Sequence, residues 1–473
     1  MKKLALSFLL IKAIYVNAQT DTVNISFVSK YYFEHPFLPY SAYTSVFNKN
    51  DAPYLYSACR ELGIVTFDIT NINTPVPVDT ITTASFNGLL PTNLKQTGNY
   101  LYCSLGGYDG FFPQKPGLAI LDLSNPSSPV ITDIWDTIIF DEGASIAISD
   151  GEFAYLGAMD EGVILLNVND KYNIKFISSI LPDPDFPEVA GIFSTPNARG
   201  LALYGSDKLM VANDAGGLRM LDISDKENPL EIGKYVNTGI EDIAQSAYNN
   251  IAIVDHYAYI PVDMCGLDVV DITDEEMETI YWYNPWDCDS SNWIGRPGHT
   301  NEIEVVGDSL LFVSGGDSEL LIFDITDREN PVLVGQYINE FDSIVAWGVD
   351  VNNNYVSLAL VNNEIVQIPY YSDVGGITIL QWEAIPNVGI LDAEQYLFAI
   401  EISPNPADNS IQIESNSVWI YCEVIDLNGR TVNQLEYTNS IDCRNMENGF
   451  YILRFYDLRS QPIGIGKFIV QHY

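Results

Sequence analysis

Carboxylates recur in this sequence just where apolar segments break, and they are the first candidates for chemistry. Glu61, Asp109, Asp160, Asp214, Asp263 and Asp317 each sit between two short apolar runs. Oxygen donors gathered in this way suit a hard cation such as calcium. Two or three such acids converging on one pocket, with their pKa values pushed apart, would serve a secreted hydrolase or lyase assisted by calcium. Acids in turns are also ordinary solvated groups, and that reading stands beside the other two.

A second candidate is the segment Tyr281-Trp-Tyr-Asn-Pro-Trp-Asp-Cys-Asp-Ser-Ser-Asn-Trp-Ile-Gly-Arg-Pro-Gly-His299. Trp286 and Trp293 beside Arg296 and His299 offer an aromatic platform with polar edges, the usual composition of a ligand pocket. The same rings also suit the covering of a junction between sheets. Four histidines occur in all, with no two at ligand spacing, and no nucleophile elbow, zinc helix, phosphate loop or full calcium loop is present.

The positions of these residues follow from a phrase that the chain restates about every 50 residues, the mark of a repeat architecture. It reads Gly63-Ile-Val-Thr-Phe-Asp68, Gly117-Leu-Ala-Ile-Leu-Asp122, Gly162-Val-Ile-Leu-Leu-Asn167, Gly217-Leu-Arg-Met-Leu-Asp222, Gly266-Leu-Asp-Val-Val-Asp271 and Glu319-Leu-Leu-Ile-Phe-Asp324, with a degenerate seventh copy at 364–369. Pro75, Pro129, Pro229 and Pro331 follow their aspartates at a constant interval, which predicts an Asx-type turn and a fixed re-entry angle.

Each repeat parses into four strands, the phrase being the third. Such units predict a β-propeller, with seven inner strands near Tyr43, Asn93, Ile146, Ala202, Ala252, Glu304 and Asp350. The fold class expected is therefore all-β, a seven-bladed propeller followed by a small β-sandwich. Residues 24–31 and 377–382 compete as the strand that completes the seventh blade. The two-to-three loops, which carry the acids, share the face on which propellers bind ligands.

The termini differ in character from the repeats. Met1-Lys2-Lys3, an apolar run and Val16-Asn17-Ala18 predict a signal peptide over 1–18. The propeller then spans 19–385, a linker 386–398 and a second domain 399–473. No later segment has the length of apolar chain that a membrane span needs. A net charge of −41, from 63 acids against 22 Lys and Arg, repels nucleic acid, whose binders carry a basic footprint.

Six cysteines in an exported chain point to disulfides. The local pairings are Cys59 with Cys103, Cys265 with Cys288 and Cys422 with Cys443, the last two being preferred because each joins neighbouring segments of one module.

The repeats resemble LVIVD repeats, a propeller family of secreted prokaryotic proteins, through Gly-Leu-x-x-x-Asp-Ile and the preceding aromatic residues Tyr56, Tyr102, Tyr155, Tyr259 and Phe312. The C-terminal segment is similar to the type IX secretion sorting domain of Bacteroidota. The match runs in order through Pro404-Asn405-Pro406, Asp426-Leu-Asn-Gly429-Arg430, Asn448-Gly449-Phe-Tyr-Ile-Leu453 and Lys467-Phe-Ile-Val-Gln471. These resemblances imply export to the cell surface or medium, with the type IX machinery as partner. The expectation for the propeller is a non-enzymatic surface that binds an extracellular protein or glycan, with the calcium-assisted hydrolase or lyase as the alternative.

Overall fold

The computed structural model describes residues 22–33, 40–107, 114–137, 142–187, 197–214, 216–240, 247–286, 288, 299–315, 319–338, 344–363, 372–385, 400–415, 419–426, 430–456 and 462–472. The chain divides into two compact units, Met1–Ile385 and Pro386–Tyr473.

In the first unit the described strands form seven four-stranded antiparallel sheets. Their inner strands are Thr44–Phe47, Pro91–Thr97, Ile146–Ser149, Asn197–Tyr204, Ala252–Val254, Thr300–Val306 and Ala346–Asn352, here numbered sheets 1 to 7. Each inner strand touches the next and the seventh touches the first, so they close a ring around one axis.

The phrase is mostly apolar because it is buried on both sides, with Arg219 and Asp268 as buried charged exceptions. Leu218 and Met220 pack toward sheet 5 while Leu221 packs toward sheet 3. Each junction between neighbouring sheets holds its own hydrophobic core in this way. The opening glycine answers a close approach. At Gly217 (φ +72°) a Cβ would lie 2.1 Å from the carbonyl oxygen of Tyr235, the last residue of the fourth strand. The closing residue makes the expected turn, with Asp68, Asp122, Asn167, Asp222, Asp271 and Asp324 each accepting the backbone N–H two residues on. Asn167 does so without the proline.

Sheet 7 corrects the sequence reading. Its third strand is Gly376–Ile385, and its fourth is Thr22–Tyr32 from the other end of the chain. The two segments read as rivals for one place are therefore neighbours. Gly376 meets the Tyr31 carbonyl oxygen as the other phrase glycines meet theirs, so the seventh phrase is Gly376-Ile-Thr-Ile-Leu-Gln381. The segment at 364–369 lies outside the described residues. The true copy is hidden because Gln replaces the closing Asp.

The second unit has a three-stranded and a four-stranded antiparallel sheet sharing one core that includes Ile411, Trp419, Val424, Leu453 and Phe468. Among the described residues no helix is long and apolar enough to cross a membrane.

Candidate functional site at the mouth of the central channel

Because strands alternate in direction, the starts of the inner strands lie on the same face as the two-to-three loops. One small residue at each start closes the ring there. Thr44 Oγ1 donates to the Thr92 carbonyl, Thr92 Oγ1 to that of Ala144, Ser145 Oγ to that of Arg199, Asn249 Nδ2 to that of Thr300 and Asn301 Nδ2 to that of Trp347. At the two remaining junctions glycine brings the backbones together: a Cβ on Gly200 would meet Asn250 Cα at 2.5 Å, and one on Gly348 the Tyr43 carbonyl at 2.6 Å. These residues and their neighbours enclose an axial cavity of about 30 Å³, the volume of one or two water-sized guests.

Above the cavity runs an arc of stacked side chains. Arg60 Nη1 donates to the Tyr43 hydroxyl at 2.8 Å, and its guanidinium carbon lies 5.1 Å from the Tyr43 ring centre. Tyr43 stacks on Trp347 with centroids 5.6 Å apart, and Trp347 on His299 at 5.1 Å. His299 Nδ1 is 2.8 Å from Asp263 Oδ1. The arc thus begins on a cation and ends on a carboxylate. Both end residues hold positive φ, 41° at Arg60 and 28° at Asp263, in matching tight turns where Gly63 and Gly266 donate back to them. Such backbone costs roughly 1–3 kcal/mol per residue and persists where surroundings enforce it. Arg199 reaches in from sheet 4, pairing with Asp214 Oδ2 and Asn301 Oδ1, both at 3.3 Å, with its guanidinium carbon 5.4 Å from the Trp347 ring.

Deeper in the channel, three acids face two lysines. Lys95 Nζ is 2.9 Å from Glu302 Oε1, and Lys49 Nζ is 2.7 Å from Asp350 Oδ1. Burial, then the neighbouring Asp350, pushes the Glu304 carboxyl up to about 7. Burial opposes the Lys95 ammonium, yet Glu302, Glu304 and Asp350 together hold its pKa above the ordinary lysine value.

The sequence candidates are distributed unevenly over this geometry. His299 and Asp263, taken from two different constellations, are joined. Trp286 packs against the core between sheets 5 and 6 instead, and Trp293 and Arg296 lie outside the described residues. Of the six acids weighed as calcium ligands, Glu61 lies beside Arg60, Asp214 pairs with Arg199 and Asp263 with His299. Asp160 occupies the two-to-three turn of sheet 3, and Asp109 and Asp317 are outside the described residues. Among the described residues no three His, Cys, Asp or Glu side chains come together as a metal cluster.

Cys265 and Cys288 form a disulfide. The other two pairings are not made. Cys59 and Cys103 fall in different inter-sheet cores, and their thiols donate to the Ser57 and Ser104 carbonyls. Cys422 and Cys443 share the core of the second unit as separate buried thiols, that of Cys443 turned to the Ile441 carbonyl at 3.6 Å.

In that unit the sorting signature meets the closing strand. Asn405 Nδ2 donates to the Lys467 carbonyl, and its Oδ1 accepts from Ile469 N–H at 2.9 Å. Gly449 pairs with Val470 on the same strand. Pro404 and Pro406 flank Asn405 in an exposed bend, and Gly429 lies outside the described residues.

Tyr43, Arg60, Arg199 and Trp347 are missed by the sequence reading. For Tyr43, Arg199 and Trp347 the one signal is position, a large polar or aromatic residue beside Thr44, Gly200 or Gly348, whereas Arg60 lies in the two-to-three loop of sheet 1.

Two family profiles match the chain. The LVIVD repeat matches residues 92–137, 197–237, 247–275 and 297–339, and the secretion system C-terminal sorting domain matches residues 401–471. The chain carries LVIVD repeats and a type IX sorting domain. Solved structures give the LVIVD unit its architecture. The WD40 repeats of RRP9 superpose with a TM-score of 0.51 at 10% identity, over 77% of this chain and 99% of that one, and U3-55K does so with the same score and identity over 77% and 100%. These likenesses establish the propeller fold. PorZ, described as an essential bacterial surface component of the type-IX secretion system of Porphyromonas gingivalis, aligns over 90% of this chain at 13% identity and a TM-score of 0.41; the chain spans 65% of its length. No curated protein matches in sequence. The sorting domain marks the chain for export to the cell surface or the medium.

Proposed function

We propose that this is an exported, non-enzymatic propeller whose loop face binds an extracellular protein or glycan, its C-terminal domain serving as the address read by the type IX machinery. In this reading residues 1–18 are a cleaved signal, 19–385 a seven-bladed propeller, 386–398 a linker and 399–473 a small sorting sandwich. The observation that carries the binding role is the arc from Arg60 through Tyr43, Trp347 and His299 to Asp263. It combines aromatic rings with charged ends on the face that carries the loops, and it is held by strained backbone at both ends. Aromatic and arginine anchors are the groups that dominate binding surfaces.

The test is a panel of extracellular glycans and proteins probed with the full chain and with Trp347→Ala and Arg60→Ala. Binding that falls at least tenfold in both variants supports the role. Capture of a ligand with affinity unchanged in both removes the arc from it.

A further inference from the structure

Beyond any partner on the loop face, the axial cavity has a chemistry of its own. The hydroxyls of Thr44, Thr92 and Ser145 spend their single hydrogens on neighbouring carbonyls. Asn93 Nδ2 is turned to Glu302 Oε1, and Asn249 Nδ2 to the Thr300 carbonyl. These contacts fix the amide orientations and leave Asn93 Oδ1 and Asn249 Oδ1 buried without a hydrogen-bond partner. Both residues are more than nine-tenths buried, and both line the cavity. The Arg199 guanidinium in the wall is directed to Asp214 and Asn301.

These groups therefore offer the cavity oxygen lone pairs. Water brings two hydrogens and two lone pairs, and the lone pairs find no match among such groups. A guest that only accepts electron density matches them better. Glu302 adds a carboxylate to the same wall, shared with Lys95 at 2.9 Å. Oxygen ligands of this hardness suit alkali and alkaline-earth ions rather than soft metals, and a donor set made mostly of uncharged amide and hydroxyl oxygens favours a monovalent guest.

We propose that the axial cavity binds a monovalent cation, sodium, potassium or ammonium, through Asn93 Oδ1, Asn249 Oδ1 and the surrounding hydroxyl oxygens. The site ties sheets 2 and 5 together across the axis, so its occupancy stabilises the closed ring.

Thermal melting of the full chain in sodium, potassium, ammonium and tetramethylammonium chlorides at equal ionic strength tests this. Tetramethylammonium is too large for the cavity and offers no N–H. A small cation should raise the melting midpoint, with a concentration dependence that follows mass action for one site. The rise should vanish in Asn93→Leu and Asn249→Leu, and Asn249→Asp, which keeps the shape and adds a charge, should reach it at several-fold lower concentration. Equal midpoints in all four salts would overturn the proposal. So would a rise that survives both leucine variants or, should those fail to fold, an Asn249→Asp curve identical to the wild type.

Discussion

Arg199 and Trp347 stand on sheets 4 and 7, as far apart as a ring of seven allows, yet the guanidinium carbon lies 5.4 Å from the indole ring. Arg199 is therefore a strut across the channel mouth, held by Asp214 on its own sheet and Asn301 on another. A cation over a partly desolvated indole contributes about 1–2 kcal/mol. Arg199→Ala should lose about that much in chemical denaturation. A double-mutant cycle with Trp347→Leu should show coupling of at least 0.5 kcal/mol, whereas independent additive losses would deny the strut.

Gly217 and Gly151 both hold positive φ, but only the first is crowded. Alanine at 151 meets open space and should cost about 1 kcal/mol of backbone strain. Alanine at 217 must also push against the Tyr235 carbonyl at 2.1 Å and should cost about 3 kcal/mol or more. Equal urea midpoints for the two variants would contradict this ordering.

The Cys265–Cys288 link closes a loop with a sequence separation of 23, for which chain entropy gives about 3 kcal/mol of stabilisation. Cys288→Ser, or reductant, should destabilise the propeller by about that amount. Reductant should leave the Cys288→Ser variant unmoved, because the other four cysteines are thiols; a second reductant-sensitive step would show otherwise.

Glu304 sets a pH dependence. Its carboxyl is raised from 4.5 to about 7 in the folded state, so the native protein holds this proton more tightly than the unfolded chain. The stability that results is complete below about pH 4.5, declines as pH climbs toward 7 and is gone above it. Glu304→Gln is neutral throughout and lacks the decline. Its stability relative to wild type should therefore improve by about 1–2 kcal/mol between pH 5 and pH 8, and a difference independent of pH would refute the assignment.

Sequence shows the phrase because similar requirements recur from sheet to sheet: a glycine facing a carbonyl in all but sheet 6, a mostly apolar run buried on both sides, and a turn carboxylate in all but sheets 3 and 7. Six copies are legible, and the seventh is lost because Gln381 breaks the pattern its glycine obeys. The belt at the channel mouth is harder to see. Thr44, Thr92, Ser145, Gly200, Asn249, Asn301 and Gly348 solve one packing problem with different chemistries, the first six acting on a residue about one repeat away and Gly348 on Tyr43 at the other end of the propeller. Trp347 has only its place before Gly348 as a local signal, since its partners come from sheets 1, 4 and 6. The acids were legible as a class, but sequence could not show that His299 takes Asp263 or that Arg199 takes Asp214.

The pairing of the strand Thr22–Tyr32 with Gly376–Ile385 joins the start of the propeller to its end, as in the contact of Asn24 with Glu383, 359 residues apart. A chain made N-terminus first holds one half of this clasp through most of its synthesis, and receives the other only when the last repeat arrives. Until then the first strand is an unpaired edge and the ring stands open. Contacts of such long range make folding slow, so closure of the ring waits on the last strand of the propeller.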